Sequence, residues 1–124
     1  MKIIVCSTDR YLTDNLRRLV QGEKLFPIST DKIERLLAEM KTLDRLAIID
    51  MAWKDIQGRG VLRQVVNIAR VSGNQVICVC PNQEEALKKL ARSARPDEVF
   101  IRYDLETTFR EYLRKCYLES QATG

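Results

Sequence analysis

The chain of 124 residues contains no histidine, and this absence limits the chemistry open to it. Histidine is the side chain most often used as a general base near neutral pH, and it is the commonest metal ligand. Long apolar runs are also missing, since no stretch approaches the roughly 20 apolar residues that a membrane-spanning helix requires. No glycine-rich turn of the dinucleotide-binding type follows the first apolar run. We therefore expect neither histidine-based catalysis, nor a membrane segment, nor a bound dinucleotide.

The placement of the cysteines suggests a structural role. The four cysteines, Cys6, Cys78, Cys80 and Cys116, lie inside apolar segments rather than in loops. The apolar run at the N-terminus, residues 1–5, has a strand-like pattern and is too short for a signal peptide. This combination favours reduced thiols in a cytoplasmic protein.

The charge of the chain is basic but dispersed. The formal net charge is +4 and the isoelectric point is near 9.0. Basic residues occur in every predicted helix and alternate with acids, which is typical of a solvated surface, and no clustered basic stripe or helix-turn-helix pattern is present. We expect no direct binding of nucleic acid. A hydrophobic fraction of 45% and a charged fraction of 31% are typical of one soluble globular domain.

Two hydrophobic periods alternate along the chain. Short, strand-like runs occupy residues 3–6, 25–28, 46–49, 76–80 and 98–102. Stripes at helical spacing follow them: Leu12, Leu16, Leu19 and Val20; Ile33, Leu36, Leu37 and Met40; Val61, Leu62, Val65, Val66 and Ala69; Ala86, Leu87, Leu90, Ala91 and Ala94; and Phe109, Tyr112, Leu113 and Cys116. The alternation predicts an α/β protein of the (βα)5 type. It would be a doubly wound, five-stranded parallel sheet of order 2-1-3-4-5 with helices on both faces.

Polar residues mark the expected element and domain boundaries. Asp31 with Glu34, and Asn82 with Glu85, have the spacing of capping boxes that open the second and fourth helices. We place one domain at residues 1–118. Residues 119–124 are expected to form a polar tail or the start of a linker.

The predicted topology brings several polar strand ends together. In a sheet of this order, ligands bind beyond the carboxyl ends of strands 1 and 3. The residues at or just after the ends of strands 1, 3, 4 and 5 are Cys6, Ser7, Asp50, Cys80 and Arg102. We therefore expect these five side chains to converge on one crevice. Asp50 closes an apolar strand and is followed eight residues later by Gly58.

Asp50 and Gly58, set within this five-fold alternation, resemble the phosphorylation corner of response-regulator receiver domains, which have a chemotaxis-type, flavodoxin-like fold. The resemblance covers roughly residues 2–118. In that family an aspartate at the end of strand 3 accepts a phosphoryl group and a glycine opens the third helix, and Asp50 and Gly58 stand at these positions. The resemblance implies a bacterial two-component signalling module that is not an enzyme.

The crevice departs from the family pattern at several positions. Cys6 and Ser7 replace the acidic pair that holds magnesium, Cys80 replaces the hydroxyl residue after strand 4, and Arg102 replaces the lysine of strand 5. Magnesium prefers hard oxygen ligands, and a thiol with a hydroxyl does not replace two carboxylates. The resemblance therefore implies a vestigial phosphoacceptor site in a pseudo-receiver. Such a domain would bind no metal or cofactor and would act by protein–protein interaction without phosphorylation.

Three further residues near the crevice carry specific expectations. We expect Arg102 to pair with Asp50, or to lie close enough to hold it ionised. We expect Asp9 to cap the first helix rather than to serve as a displaced metal ligand. Trp53, in the loop after Asp50, is compatible with an exposed partner anchor, a lid on the crevice or a partly buried loop aromatic.

Receivers commonly act through the surface formed by helix 4, strand 5 and helix 5. By the resemblance, that surface carries Lys88, Lys89, Arg92, Arg95, Tyr103, Arg110, Arg114 and Tyr117. Arginine and tyrosine are enriched at interaction hot spots. The resemblance thus implies protein partners of unstated identity, and a homodimer through the same surface. Tyr112 either joins this surface or packs into the core.

Other activities stay open at this point. A working receiver phosphorylated on Asp50 is the main alternative. A cysteine phosphoenzyme at Cys6, as in sugar-transport IIB subunits or low-molecular-weight tyrosine phosphatases, is less favoured. The loop after Cys6 has no glycine, and Leu12 stands where the phosphatase requires an arginine. A redox pair of Cys6 with Cys80 is disfavoured because the intervening strand separates their backbones by about 9–10 Å.

Overall fold

A computed structural model describes residues 1–22 and 25–115 of the chain. The strands are β1 Lys2–Cys6, β2 Phe26–Thr30, β3 Arg45–Asp50, β4 Gln75–Cys80 and β5 Glu98–Ile101. The α-helices are α1 Arg10–Gly22, α2 Ile33–Met40, α3 Val61–Val71 and α4 Glu85–Ser93. Short 3-10 turns occupy Lys54–Gln57 and Arg102–Asp104. The last helix, α5, begins as a π-helical turn at Leu105–Phe109 and continues through residues 110–115.

The five strands form one parallel sheet of order β2-β1-β3-β4-β5, which confirms the predicted fold class. The register aligns Cys6 with Thr30 on one side and with Ile49 on the other. Asp50 follows in register with Val79 of β4. The ends of β1, β3 and β4 therefore lie side by side at one edge of the sheet. No helix among residues 1–22 and 25–115 is long and apolar enough to cross a membrane.

The sheet separates two hydrophobic layers, because successive side chains of a strand point to opposite faces. In β1, Ile3 and Val5 pack with α1 and α5, whereas Ile4 and Cys6 pack with α2, α3 and α4. The runs in β1, β3 and β4 are nearly all buried, as a sheet covered on both faces requires.

Most of the predicted helical stripes face the core. Every member of the first stripe is buried, and so are the members of the third stripe except Val61, which is half-buried. The fourth stripe was predicted too wide: Ala86 is exposed, and Leu87 and Leu90 are only half-buried. In the fifth, Phe109 and Leu113 are buried, while Cys116 lies outside the described residues.

Of the two positions expected for Tyr112, the structure shows the one in which its side chain packs against the core. Its ring is half-buried and stands edge-on to Phe100, with the ring centroids 5.8 Å apart. Its hydroxyl is 3.2 Å from Oε1 of Gln75. The side chain therefore braces α5 against the sheet.

Both predicted capping boxes are wrong. Helix α2 starts after Lys32 and helix α4 after Glu84, and neither receives a side-chain capping hydrogen bond. Thr30 accepts a bond from the backbone N–H of Lys32 instead. Asn82 accepts one from the backbone N–H of Tyr103, at 3.1 Å. A spacing shared with capping boxes was not sufficient, because a short polar side chain can bond other backbone groups instead, as Asn82 does with Tyr103.

All five strands differ from the predicted ranges by one or two residues at an end. Strand β2 begins one residue later and ends two residues later than expected, and its Pro27 is tolerated because β2 is an edge strand. Strand β5 ends at Ile101, so Arg102 opens a 3-10 turn rather than closing the strand. The predicted domain boundary at residue 118 lies outside the described residues.

A buried asparagine, Asn74, forms hydrogen bonds at the end of the sheet opposite the crevice, where β3 and β4 begin. Asn74 accepts a hydrogen bond from the backbone N–H of Arg45 at 2.8 Å. Its amide donates to the carbonyls of Met40 and Thr42, at 2.8 and 2.6 Å. One satisfied side chain thus joins the connection before β3 to the connection before β4, which helps fix the register of the two central strands.

Candidate functional site

Asp50 lies at the carboxyl end of β3 with only 3% of its surface exposed. Its Oδ2 accepts a hydrogen bond from the Ser7 hydroxyl at 2.6 Å, and its Oδ1 accepts one from the backbone N–H of Ala52 at 2.9 Å. A buried carboxylate needs such donors, because leaving it without partners costs several kcal/mol of desolvation. Both oxygens of Asp50 are therefore engaged within the protein.

Ser7 connects Asp50 to the next loop. The register of β1 and β3 places Ser7 one residue beyond the end of β1, beside Asp50. Its hydroxyl donates to Asp50 and accepts from the backbone N–H of Asp9 at 3.0 Å. A neutral hydroxyl thus stands against the acid where receivers carry a carboxylate. No group of three or more cysteine, aspartate or glutamate side chains arranged to hold a metal ion occurs among the described residues.

Arg102 pairs with Asp9, which corrects the predicted pairing with Asp50. Its Nη2 is 2.8 Å from Oδ2 of Asp9, and the two side chains are 32% and 38% exposed. Arg102 starts the turn after β5 and reaches across the crevice to the loop after β1. The pairing differs from the expectation because Asp9, in the loop after β1, presents a carboxylate oxygen within reach of the Arg102 guanidinium.

Asp9 caps α1 as expected. Its Oδ1 accepts bonds from the backbone N–H groups of Tyr11 and Leu12, at 3.0 and 3.3 Å. The hydrogen bond from Arg102 is the main cause that holds the pKa of Asp9 below its usual value, and the bonds from Leu12 and Tyr11 act in the same direction. Asp9 thus serves both as a helix cap and as the partner of the crevice cation.

The cysteines of the crevice are buried. Cys6 and Cys80 have no exposed surface, and the Sγ of Cys6 contacts the carbonyl of Ile4 at 3.7 Å. Burial raises the pKa of the Cys6 thiol far above its ordinary value, and the nearby Cys78 adds to the shift. Burial also raises the pKa of Cys80, against the opposing influence of Lys88 and Arg92. A protonated, buried thiol is a poor nucleophile, which argues against a phosphoenzyme at Cys6.

Trp53 and Gly58, in the segment between Asp50 and α3, are both constrained by their packing. Trp53 is only 1% exposed, so it is neither an exposed anchor nor an open lid. Its backbone N–H donates to the carbonyl of Asp50 at 3.0 Å. Gly58 lies in the turn before α3, and the residue that directly precedes the helix is Gly60, with φ of +77°. A Cβ at position 58 would lie 3.0 Å from the Val61 side chain, so the site favours glycine.

Only some of the residues predicted to form the interaction surface are exposed together among the described residues. Lys89, Arg92, Tyr103, Arg110 and Arg114 are exposed, and Tyr103 shows 84% of its surface. Lys88 is half-buried and pairs with Glu85 at 3.1 Å. Arg95 lines a separate groove between α3 and α4. Tyr117 lies outside the described residues.

A shallow groove of about 250 Å³ runs along this surface between α4 and α5. It is lined by Lys88 and Arg92 from α4, by residues 99–101 of β5, and by Asp104 and Thr108. The outer edge of β5 faces it, because β5 is the last strand of the sheet. The charged residues that line this groove are two bases, Lys88 and Arg92, and one acid, Asp104.

Sequence reasoning missed Tyr11 as a surface feature. Tyr11 lies in the first turn of α1 and is 78% exposed, close in sequence to the capping residue Asp9. The available signal was its position outside the apolar stripe of α1, one residue before Leu12. An aromatic out of phase with the buried stripe is expected to face solvent.

Solved structures of receivers share this architecture. The chain is similar to a CheY-like response regulator receiver domain protein from Methanospirillum hungatei JF-1, with a TM-score of 0.71 and 18% identity over 95% of this chain and 97% of that one. It is similar to the signal receiver domain of a Luxo repressor protein from Vibrio parahaemolyticus, with a TM-score of 0.68 and 15% identity over 99% and 97%.

A third similar structure comes from a different setting. It is a pilus assembly-related protein from Burkholderia pseudomallei K96243, with a TM-score of 0.73 and 17% identity over 94% of this chain and 88% of that one. No protein-family model and no curated protein sequence matches the chain significantly. At these identities the similarities establish a receiver fold, and the function has to be argued from the site.

Proposed function

We propose that this chain is a pseudo-receiver that transmits signals by binding protein partners, without phosphorylation and without magnesium. The observation that carries the proposal is the hydrogen-bonding of Asp50. Its two oxygens accept from Ser7 and Ala52, and the neutral Ser7 stands where receivers need an acid. Phosphoryl transfer to a carboxylate requires the developing negative charge to be neutralised, normally by a divalent cation.

The pairing of Arg102 supports the same conclusion. In a switching receiver the cation of strand 5 has to be available to the phosphoryl group. Here the guanidinium of Arg102 is 2.8 Å from the carboxylate of Asp9, which lies in the loop after β1. This ion pair and the Ser7 bridge tie the loop after β1 to both β3 and β5, and they favour one arrangement of the crevice over two.

The test is the response to magnesium, beryllofluoride and acetyl phosphate. Trp53 is buried and bonded through its backbone to Asp50, so its fluorescence reports any rearrangement at the acid. We expect no saturable change with magnesium and beryllofluoride, and no added phosphoryl group by intact mass after incubation with acetyl phosphate. A hydroxylamine-labile phosphoryl group that is lost in Asp50→Asn would establish the alternative, a working receiver phosphorylated on Asp50.

A restoring substitution sharpens the test. Ser7→Asp places a second carboxylate against Asp50 and supplies an oxygen ligand of the kind that magnesium prefers. We expect this variant to gain a magnesium-dependent change in Trp53 fluorescence. The matched control is Ser7→Asn, which has nearly the same volume without the charge and should stay silent.

The proposed partner surface comprises Lys88, Lys89, Arg92, Tyr103, Arg110 and Arg114. Its exposed tyrosine beside basic side chains fits the composition of interaction hot spots. The same surface is the candidate for a homodimer. We expect Tyr103→Ala with Arg92→Glu to weaken partner capture and self-association, measured by cross-linking and sedimentation. Arg17→Glu on α1 is the control, because it makes the same charge change on a helix that is outside the proposed surface and lies on the other face of the sheet from α4.

The similarity to a pilus assembly-related protein suggests one setting in which to seek the partner. Components of pilus assembly systems are therefore suitable baits beside two-component signalling proteins. A bait is informative when its capture by the wild type is lost in Tyr103→Ala and kept in Arg17→Glu.

A further inference from the structure

A groove rich in arginine runs between α3 and α4, outside the crevice and outside the surface proposed above. It has two adjoining parts of about 340 and 360 Å³, which share Arg63, Ser93 and Ala94. Four arginines line it, Arg59, Arg63, Arg70 and Arg95, together with Leu62 and Leu90. We refer to this site as the arginine groove.

Two of the guanidinium groups are held in place by backbone carbonyls. Nη2 of Arg70 donates to the carbonyl of Arg95 at 2.7 Å, and Nη2 of Arg63 is 3.5 Å from the carbonyl of Ser93. Both carbonyls lie at the C-terminal end of α4, where the helix dipole favours cations. A guanidinium has five N–H donors, so one such bond orients each group and leaves donors for a ligand.

The charge of the arginine groove is of one sign. No aspartate or glutamate is found among the described residues that line it. Four arginines without a lining acid create a field that attracts anions, and their planar forks bind carboxylates in pairs of hydrogen bonds. The ligand should therefore be anionic.

The apolar lining distinguishes a peptide from a nucleic acid. Leu90 is half-buried and contributes aliphatic surface, whereas Leu62 is buried, and no aromatic ring lies among the described lining residues. Single-stranded nucleic acid binds chiefly by stacking its bases on aromatic side chains in a basic groove. Aliphatic surface beside arginines suits a segment that presents leucine-like side chains next to carboxylates.

We propose that the arginine groove binds an acidic, amphipathic segment of a protein partner. An apolar side chain of the segment rests on Leu90, while its carboxylates meet Arg63 and Arg95. The proposal relies on the proposed role in protein binding and deepens it, by naming a partner chemistry and a second surface. It does not depend on the state of Asp50.

The test uses a fluorescent synthetic helix with leucines on one face and glutamates on the other. Its affinity is measured for the wild-type chain, for Arg63→Glu with Arg95→Asn, and for the control Arg17→Glu on α1. Arg70 is left intact because it secures the end of α4, and asparagine suits the left-handed backbone of position 95, where φ is +56°. We expect the double variant to bind about tenfold more weakly, with the control within about twofold of the wild type.

Three comparisons decide the result. Affinity should fall as salt is raised, and a polyglutamate peptide without leucines should bind more weakly than the amphipathic peptide. Equal loss in Arg17→Glu, equal binding of polyglutamate, or tighter binding of a single-stranded DNA oligonucleotide would each overturn the proposal. Far-UV circular dichroism and urea unfolding establish that the variants are folded. A failure here is separable from a failure of the pseudo-receiver proposal, because the magnesium and beryllofluoride response is read on the unaltered crevice.

Discussion

At the scale of single residues, the crevice is organised by neutral and paired groups. Ser7 donates to Asp50 and accepts from the backbone N–H of Asp9, and Asp9 in turn binds Arg102. The result is a chain of bonds from β3 through the loop after β1 to the end of β5. Each acid in it has its donors within the protein.

Removing the Ser7 hydroxyl should show how much this series of hydrogen bonds contributes to the stability of the protein. Ser7→Ala leaves one oxygen of a buried carboxylate without a donor, so we expect the free energy of unfolding to fall by about 1.5–3 kcal/mol. Urea unfolding at pH 7 measures it. Ser93→Ala is the control: its hydroxyl donates to the carbonyl of Leu90 at 2.7 Å but is exposed, so its loss should cost no more than about 0.5 kcal/mol. Equal losses in the two variants would contradict the assignment.

The ion pair of Asp9 with Arg102 should contribute a pH-dependent increment. Because the folded state lowers the pKa of Asp9, the contribution is present above the unfolded pKa of about 3.9 and is lost as pH falls through the lower, folded value. The pair is partly exposed, so Arg102→Ala should cost no more than about 1 kcal/mol at neutral pH.

Urea unfolding of the wild type and Arg102→Ala across the acid range measures this dependence. The difference between them should shrink as the solution is acidified below about pH 4. A double-mutant cycle with Asp9→Asn should assign the coupling to this pair. Coupling of Arg102 to Asp50 instead would restore the pairing expected from the sequence.

At the scale of elements, substitution of two glycines should have opposite effects on stability. Gly60 precedes α3 with φ of +77°, a conformation that other residues adopt at a cost, whereas Gly22 lies in α1 with no atom near the place of a Cβ. We expect Gly60→Ala to destabilise the protein by about 1 kcal/mol, and Gly22→Ala to stabilise it by about 0.5–1 kcal/mol. Thermal unfolding of both variants measures the contrast, and a shift of the same sign in both would be inconsistent with it.

At the scale of the whole molecule, the two-layered core governs the reactivity of the thiols. Cys6, Cys78 and Cys80 have no exposed surface, and burial raises the pKa of each. We expect all three to resist iodoacetamide in the native state and to react once urea unfolds the chain, as read by peptide mass mapping. Fast native labelling of Cys6 would revive the phosphoenzyme alternative.

The architecture follows from local patterns in the sequence. Strand and helix periods are local properties, so five alternations, the apolar stripe of α1 and the position of Asp50 at the end of a strand were readable without coordinates. Local polar signals were weaker. The capping role of Asp9 was predicted correctly, but the boxes at Asp31 and Asn82 were not, because more than one donor lies within reach of a short polar side chain.

Contacts between polar groups that are distant in the sequence depend on how the elements pack together. Arg102 binds Asp9, 93 positions away, and Ser7 binds Asp50, 43 positions away. The arginine groove likewise joins side chains of α3 with the end of α4. Hydrophobic periodicity does not encode these partners, because which polar groups come within hydrogen-bonding distance depends on where separate elements end in space.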